Sequence, residues 1–421
     1  MIDQRQKRIL IMALFAGELM MKSGAEVYRV EDTITRICRA CKIPYVECFA
    51  TTTGIFLSID SGERDADMHT FIKRISKISI DLGRISAINE FSREFTSTDM
   101  SVDEGFETLR GIERVKPYGR PLNALGALLI GASLCPCFGG RVLDSLFCAL
   151  ITVVAYLSSL GIGRLHLNAF TNTFLGCFVC ALLTVLGRET GLISAVAPVV
   201  IGAITLFMPG VAITNAARDL ISGDVLAGVA RCAEALITAV AIAGGVGIAL
   251  KIWSMARGGF PEEVMLRYPL YVFFILAFIT TLAFCFQFHV PKKHWATASL
   301  AGACGFWLYE YCLLSLGYSA PLAGFLGAGL VALIAELCSR AGKDATTLFI
   351  IPGIIPLVPG TGMYATMLYM LQGDFVHTAE TGVRTLMIAG CIAVSLITVA
   401  SLTRISADAQ RKLAEIFRKT R

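Results

Sequence analysis

The run Ile351-Pro352-Gly353-Ile354-Ile355-Pro356-Leu357-Val358-Pro359-Gly360 sets three prolines into an apolar stretch. Each proline lacks an N–H and its ring collides with the preceding turn, so no regular helix is expected to continue through them. Carbonyls released there can receive an ammonium group or a cation. The first N–H groups of the next helix can receive a carboxylate. A second apolar stretch carries the same signal in Pro198 and Pro209-Gly210. This chemistry nominates Pro209, Gly210, Pro352, Gly353, Pro356, Pro359 and Gly360 as the place where a polar solute is held. Asn172, next to Thr171 and Thr173 in another apolar run, adds a side-chain amide, with helix–helix hydrogen bonding as the competing use.

Several acids stand in or beside apolar runs. Glu310 lies between Tyr309 and Tyr311, and an ionisable group inside an apolar span is a functional candidate by default. Glu234 with Arg231, and Glu380 with Arg384, have spacings at which opposite charges on one helix neutralise each other. Asp224 and Asp374 each follow a glycine and precede an apolar run, the place of a helix N-cap. Glu310, Glu234 and Asp374 are the candidates for carrying protons. No metal or cofactor is expected. Cys38 and Cys41 form a lone CxxC without a nearby histidine, the five histidines make no ligand pattern, and there is no GxxxxGK[ST] loop for nucleotide phosphates.

The composition frames these candidates. The 421 residues are 55% hydrophobic and 16% charged, where a soluble domain carries about a quarter charged residues. With a mean hydropathy of +0.67, an ordinary soluble enzyme, a disordered chain and a nucleic-acid binder are excluded, and the lipid bilayer is the expected surrounding. The fourteen cysteines are scattered through apolar segments and read as small reduced core residues. Residues 1–121 hold 18 Lys/Arg and 18 Asp/Glu, leaving 19 and 14 for the rest. A water-compatible segment therefore precedes a charge-poor region.

That first segment reads as a small α/β domain. Ile9–Ala16 lacks a small-residue cleavage site and belongs to a helix of the domain rather than a signal peptide. Ser23-Gly24-Ala25-Glu26 has the spacing of a capping box, as does Ser101-Val102-Asp103-Glu104. The first predicts a helix with Val27, Val30, Ile34, Ile37 and Cys41 on one face, the second a helix to about Val115. Tyr45–Ala50, Ile55–Asp60 and Met68–Ile75 read as strands. Leu82, Ile85, Ile88 and Phe95 predict another helix.

Beyond Pro121, ten apolar segments approach spanning length: 122–139, 142–160, 168–187, 192–209, 226–250, 268–290, 294–316, 320–338, 346–360 and 380–403. They repeat. Met208-Pro209-Gly210 matches Val358-Pro359-Gly360, and Gly223-Asp224 matches Gly373-Asp374, all at a shift of 150. Phe174-Leu175-Gly176 matches Phe325-Leu326-Gly327, and Gly191 matches Gly342, at 151. Five spans per half force the second half to enter from the opposite side, an inverted-topology repeat of the kind that builds secondary transporters. Glu234 and Arg384 hold corresponding positions with opposite charge and are expected to meet across the axis. With the first segment in the cytoplasm, the inner loops and tail carry Arg164, Arg218, Lys292, Lys293, Arg340, Lys343, Arg404 and five further cations after residue 405, against Arg141, Arg188, Lys251, Arg257 and Arg267 outside. Twelve against five places both termini in the cytoplasm. The expected divisions are an α/β domain at 1–118, five-helix halves at 119–252 and 266–404, and a basic tail at 405–421.

Residues Ser23-Gly24-Ala25-Glu26-Val27-Tyr28-Arg29-Val30-Glu31-Asp32-Thr33-Ile34, followed by Thr52-Thr53-Gly54-Ile55-Phe56, resemble the N-terminal signature of the threonine/serine exporter family. Pro352-Gly353 with Pro356-Leu357-Val358-Pro359-Gly360 resembles its C-terminal module, so the resemblance covers essentially the whole chain, with both modules fused. It implies a cytoplasmic N-terminal domain, about ten transmembrane helices in the cell membrane, and export of small hydrophilic metabolites. Threonine and serine are the named substrates, protons the coupling partner and proton-motive force the drive. It nominates Glu26, Tyr28, Arg29 and Asp32 for gating or docking, against the plainer use of a polar helix face. Relatives include a two-component succinate exporter, so a dicarboxylate is the alternative solute. The family's N-terminal domain has been likened to hydrolases, and a membrane-anchored hydrolase is the alternative from another class. No Ser/His/Asp set supports it, and an anchor needs neither ten spans nor paired broken helices. The oligomeric state is open, a homo-oligomer included.

Overall fold

A computed structural model describes residues 4–60, 69–76, 78–163, 167–257, 265–342 and 344–419. The chain divides into two compact units. One combines Met1–Gly119 with Ala212–Glu234 and Phe288–Lys292, and the other holds Arg120–Val211, Ala235–Gln287 and Lys293–Arg421.

The N-terminal unit begins with α1 (Gln4–Lys22), α2 (Val27–Ala40), β1 (Tyr45–Thr51), β2 (Gly54–Asp60), β3 (His69–Arg74), α3 (Leu82–Ser97) and α4 (Val102–Arg114). The strands form one antiparallel sheet in the order β1-β2-β3. Its inner face, Ala50, Ile55, Leu57 and Ile59, is buried, and α2 packs on β1 with Val27, Val30, Ile34 and Ile37 inward. The period-2 and period-3.6 patterns account for these elements. Met68 lies outside the described residues.

The two predicted capping boxes part ways. Ser101 accepts from Glu104 N–H, and the Glu104 carboxylate accepts from Ser101 N–H at 2.8 Å, a complete box. Ser23 caps nothing. The N-cap of α2 is Glu26, which makes no capping bond with its own side chain. The turn Ser23-Gly24-Ala25 is consumed in closing α1, with Ser23 and Gly24 N–H donating to Leu19, Met20 and Met21 carbonyls and Gly24 at φ +82°. The carboxylate of Glu26 is thereby freed for other partners.

The helical unit and its continuation hold α5 (Arg120–Cys137), α6 (Val142–Gly163), α7 (Ala169–Glu189), α8 (Val196–Ile204), α9 (Gly210–Ser222) and α10 (Val225–Arg257). The same order returns as α11 (Leu270–Gln287), α12 (Trp295–Leu314), α13 (Ala320–Gly342), α14 (Thr347–Ile354), α15 (Gly360–Gln372) and α16 (Phe375–Lys419). Six of these helices are long and apolar enough to cross a membrane. Two bent pairs, α8–α9 and α14–α15, bring the number to eight if each is one span.

The repeat extends to backbone detail. Gly139 and His289 both take left-handed φ, +89° and +54°, as do Gly223 and Gly373, +94° and +77°. Asp224 N–H donates to Asp219 O at 2.9 Å, and Asp374 N–H to Tyr369 O at 3.0 Å. The contacts are reciprocal. Tyr118 O–H donates to Val290 O at 2.7 Å, and Tyr268 O–H to Gly140 O at 2.8 Å, donors and acceptors that again correspond at a shift of 150.

Two expectations are corrected. The segments 192–209 and 346–360 do not end at their Pro-Gly pairs but bend and continue as α9 and α15. Arg218 is therefore a residue of α9, not a loop cation. Pro352 does not break its helix. It lies within α14, and the interruption falls at the 3-10 turn Ile355–Leu357.

Replacing Ser101 by Ala should destabilise the start of α4 by about 1 kcal/mol, whereas Ser23→Ala should be neutral. Amide hydrogen exchange of the full-length protein at residues 102–109 and 27–34 distinguishes the two.

Candidate functional site

The two interruptions have the same construction. Met208 N–H donates to Thr205 O and Gly210 N–H to Met208 O. Val358 N–H donates to Ile355 O and Gly360 N–H to Val358 O, at 2.7–3.1 Å throughout. The bends are 56° and 43°. Proline at 209 and 359 removes one N–H from each junction, and the short turn satisfies the neighbouring groups, which a break in an apolar environment requires. Pro359 is the N-cap of α15.

The breaks are seated on each other. A methyl group on Gly210 would fall 2.9 Å from Ile355 Cδ1 and 3.6 Å from Val358 Cγ2. One on Gly360 would fall 3.0 Å from Met208 Cε and 3.5 Å from Ile201 Cγ2. Side chains of the opposite break border both glycines, so a larger residue at either place must displace the ends of Ile355 or Met208.

A cavity of about 390 Å³ opens beside this junction, within the helical unit. Thr361 and Ile201 lie at its break end, and Tyr364, Tyr369, Trp253 and Gln372 are among the residues that line it. This volume falls in the range of small-ligand sites. Thr361 belongs to the first turn of α15, where unpaired N–H groups and the helix dipole favour a carboxylate. Trp253 is oriented by donating to Glu189 at 2.7 Å, which in turn pairs with Arg257.

The other nominated residues are dispersed. Pro356 is buried in the 3-10 turn. Pro352 and Gly353 are buried in α14, where Gly353 lets that helix approach Gly302 and Val331 closely, so its smallness serves packing. Asn172 is half-buried on α7 with an unpartnered Oδ1. Glu310 is half-buried four residues before the end of α12. Asp374 caps α16, accepting from His377 N–H at 3.1 Å and His377 Nδ1 at 2.7 Å. These bonds hold its carboxyl below the usual range. Glu234 and Arg384 are both exposed. Arg231, expected to neutralise Glu234, instead pairs with Asp219 at 2.9 Å.

A second constellation lies in the N-terminal unit, where α9 and the start of α10 grip the α1–α2 turn. Asn215 Nδ2 donates to Gly24 O at 3.0 Å and Arg231 to Ala25 O at 2.8 Å. Asp219 accepts from Val27 N–H at 3.3 Å, and Arg218 donates to Glu26 Oε1 at 2.6 Å. Arg29 stands 3.5 Å from the other Glu26 oxygen. Glu26, Asn215 and Asp219 are 1%, 0% and 0% exposed. Burial alone would push the Glu26 carboxyl up, but Arg29 and Arg218 beside it hold it below its ordinary value. Tyr28 is half-buried and Asp32 pairs with Arg36 at the surface. Of the four nominated motif residues, Glu26 and Arg29 are in the cluster. Its other half was missed, although Asn215, Arg218, Asp219 and Ser222 have the i, i+3, i+4, i+7 spacing of one polar helix face.

Comparison with known proteins gives two family matches. The model described as "Putative threonine/serine exporter" matches residues 11–253, and "Threonine/Serine exporter, ThrE" matches 273–402. An uncharacterized protein of Schizosaccharomyces pombe is 25% identical over 85% of this chain, which spans only 44% of that relative. The "Threonine/serine exporter" of Corynebacterium glutamicum is 23% identical over 94% of this chain and 80% of its own length. The "Probable succinate transporter subunit YjjP" of Escherichia coli is 24% identical over 61% of this chain and 98% of its own. No solved structure matches.

Two outcomes test the geometry. Gly210→Val and Gly360→Val should each lower the stability of the helical unit by roughly 1–3 kcal/mol, while Gly161→Ala, with open space around it, should change nothing measurable. Thermal unfolding followed by tryptophan fluorescence reads this. Because folding lowers the Glu26 carboxyl, the unfolded chain binds its proton more readily. Its stabilisation is present at neutral pH and is lost as the pH falls below about 4.5 towards the folded value. Protection factors at amides 27–30 should fall in that window, and Glu26→Gln should remove the dependence.

Proposed function

We propose that this chain, which belongs to the threonine/serine exporter family, exports small hydrophilic metabolites across the cell membrane, with threonine and serine the leading solutes. It is a transporter and not an enzyme. The observation that carries the mechanism is the reciprocal seating of the two broken spans beside a cavity that ends at an α15 helix N-terminus. A solute carboxylate would meet N–H groups of the half-helices, and its ammonium and hydroxyl the freed carbonyls and the hydroxyls of the cavity. Pro209, Gly210, Pro356, Pro359 and Gly360 shape this site. Pro352, Gly353 and Asn172 do not line the cavity, and their part is the packing of α14 and α7 around it.

Counting α5 and α12 as spans gives ten, five in each half, so the halves run in opposite directions as an inverted repeat. The N-terminal α/β domain, residues 1–118, and both termini then lie in the cytoplasm, in keeping with the excess of Lys/Arg there. Rocking of one half against the other would alternate access. We take the proton gradient as the drive, with Glu310 the first carrier, ahead of Glu234 and of Asp374, which is already engaged as a helix cap. Glu26 and Arg29 act in docking the α1–α2 turn to α9, with Tyr28 and Asp32 at its edge. A dicarboxylate solute is the second reading, favoured by the succinate transporter subunit among the relatives.

Efflux from cells lacking their own exporters tests this. Cells would be preloaded with threonine-containing peptides or with succinate, with and without a protonophore. Threonine efflux that requires the protein and collapses with the gradient is expected, and Glu310→Gln should cut it by at least about tenfold, the loss of a group essential to coupling. Efflux of succinate alone would favour the second reading.

A further inference from the structure

At the shift of 150, Asn215, Arg218 and Asp219 correspond to Ala365, Leu368 and Tyr369. In the second half those three residues line the open cavity. In the first half their counterparts are closed over by the α1–α2 turn. The face of α15 that borders an open cavity thus has as its counterpart a face of α9 covered by a loop of the chain itself, and what the loop presents there is a carboxylate, Glu26, against Arg218.

We propose that Asn215, Arg218, Asp219 and Arg231 form a binding site for a small zwitterionic amino acid, and that the α1–α2 turn is its built-in occupant, with Glu26 standing in for the solute's α-carboxylate. This rests on the transport reading above and extends it to the side of the membrane where the N-terminal unit lies. Arg218 is the donor for the carboxylate. Asp219, fully buried, is the group for an ammonium, and it disfavours a second carboxylate, which sets the site for a zwitterion rather than a dicarboxylate. The set is incomplete while the turn fills it. Asn215 Oδ1, on a side chain with no exposure, has no hydrogen-bond partner. A buried acceptor left in this way marks room for a donor that the turn's carbonyls cannot supply. The ligand must displace the turn, so its apparent affinity is reduced by the fraction of time the site is vacated.

The test uses the full-length protein in lipid nanodiscs. Saturating L-threonine should raise amide exchange at residues 24–28 by about fivefold or more, because the displaced turn loses the partners that protect it, and succinate should not. Calorimetric titration should show Glu26→Gln binding L-threonine roughly tenfold more tightly than wild type, since the occupant is weakened. Exchange unchanged by threonine in a protein that does export threonine overturns this proposal and leaves the transport reading intact. Displacement by succinate instead overturns the zwitterion assignment. A wild-type protein that neither exports nor binds threonine overturns both. The exchange arm needs no variant and stands even if Glu26→Gln fails to fold.

Discussion

An interrupted helix in an apolar environment leaves carbonyls and N–H groups that lipid cannot satisfy, and each such group costs several kcal/mol. The remainder of the helical unit follows from how that cost is met twice. A short turn closes most of the freed groups at each interruption. The side chains of one break then cover the other, Ile355 and Val358 over Gly210, Met208 and Ile201 over Gly360. A bulkier residue at either glycine would have to displace these side chains from the junction that ends the cavity.

The charged cluster of the N-terminal unit answers a different demand. Its acids and bases are sorted by the polarity of the backbone they face. The carboxylate of Asp219 meets the first N–H of α2, where the helix dipole is positive. Asn215 and Arg231 meet Gly24 and Ala25 carbonyls in the turn that ends α1. Asp219 and Arg231 are each placed where both a formal partner and a backbone dipole favour them. Buried charges are tolerable only under such pairing, and the arrangement joins residues about 190 apart in the chain.

The internal repeat conserves backbone more strictly than chemistry. Left-handed residues, turn hydrogen bonds and tyrosine contacts recur at a shift of 150, while the polar face of α9 becomes the apolar and aromatic face of α15. One path of the chain therefore supplies two environments, a charged one that holds a loop and a largely apolar one that stays open. A transporter that works on two sides of a membrane has use for that difference.

Much of this was legible in the residues alone. The apolar helices, the recurring motifs, the small sheet and the Ser101 capping box follow from local pattern, because hydrophobic period and turn chemistry act over a few residues. The sequence also marked where the spans are interrupted, since proline's missing N–H and the flexibility of glycine are properties of single residues. It did not determine what lies across from them. Pro352 remains inside α14, which is buried along its whole length, and the interruption falls after it, at Ile355–Leu357. Ser23 does not cap because the turn closes α1 instead, and Glu26, with the same spacing as Glu104, turns to Arg218. Those outcomes depend on partners in distant segments, and only the tertiary structure brings these together.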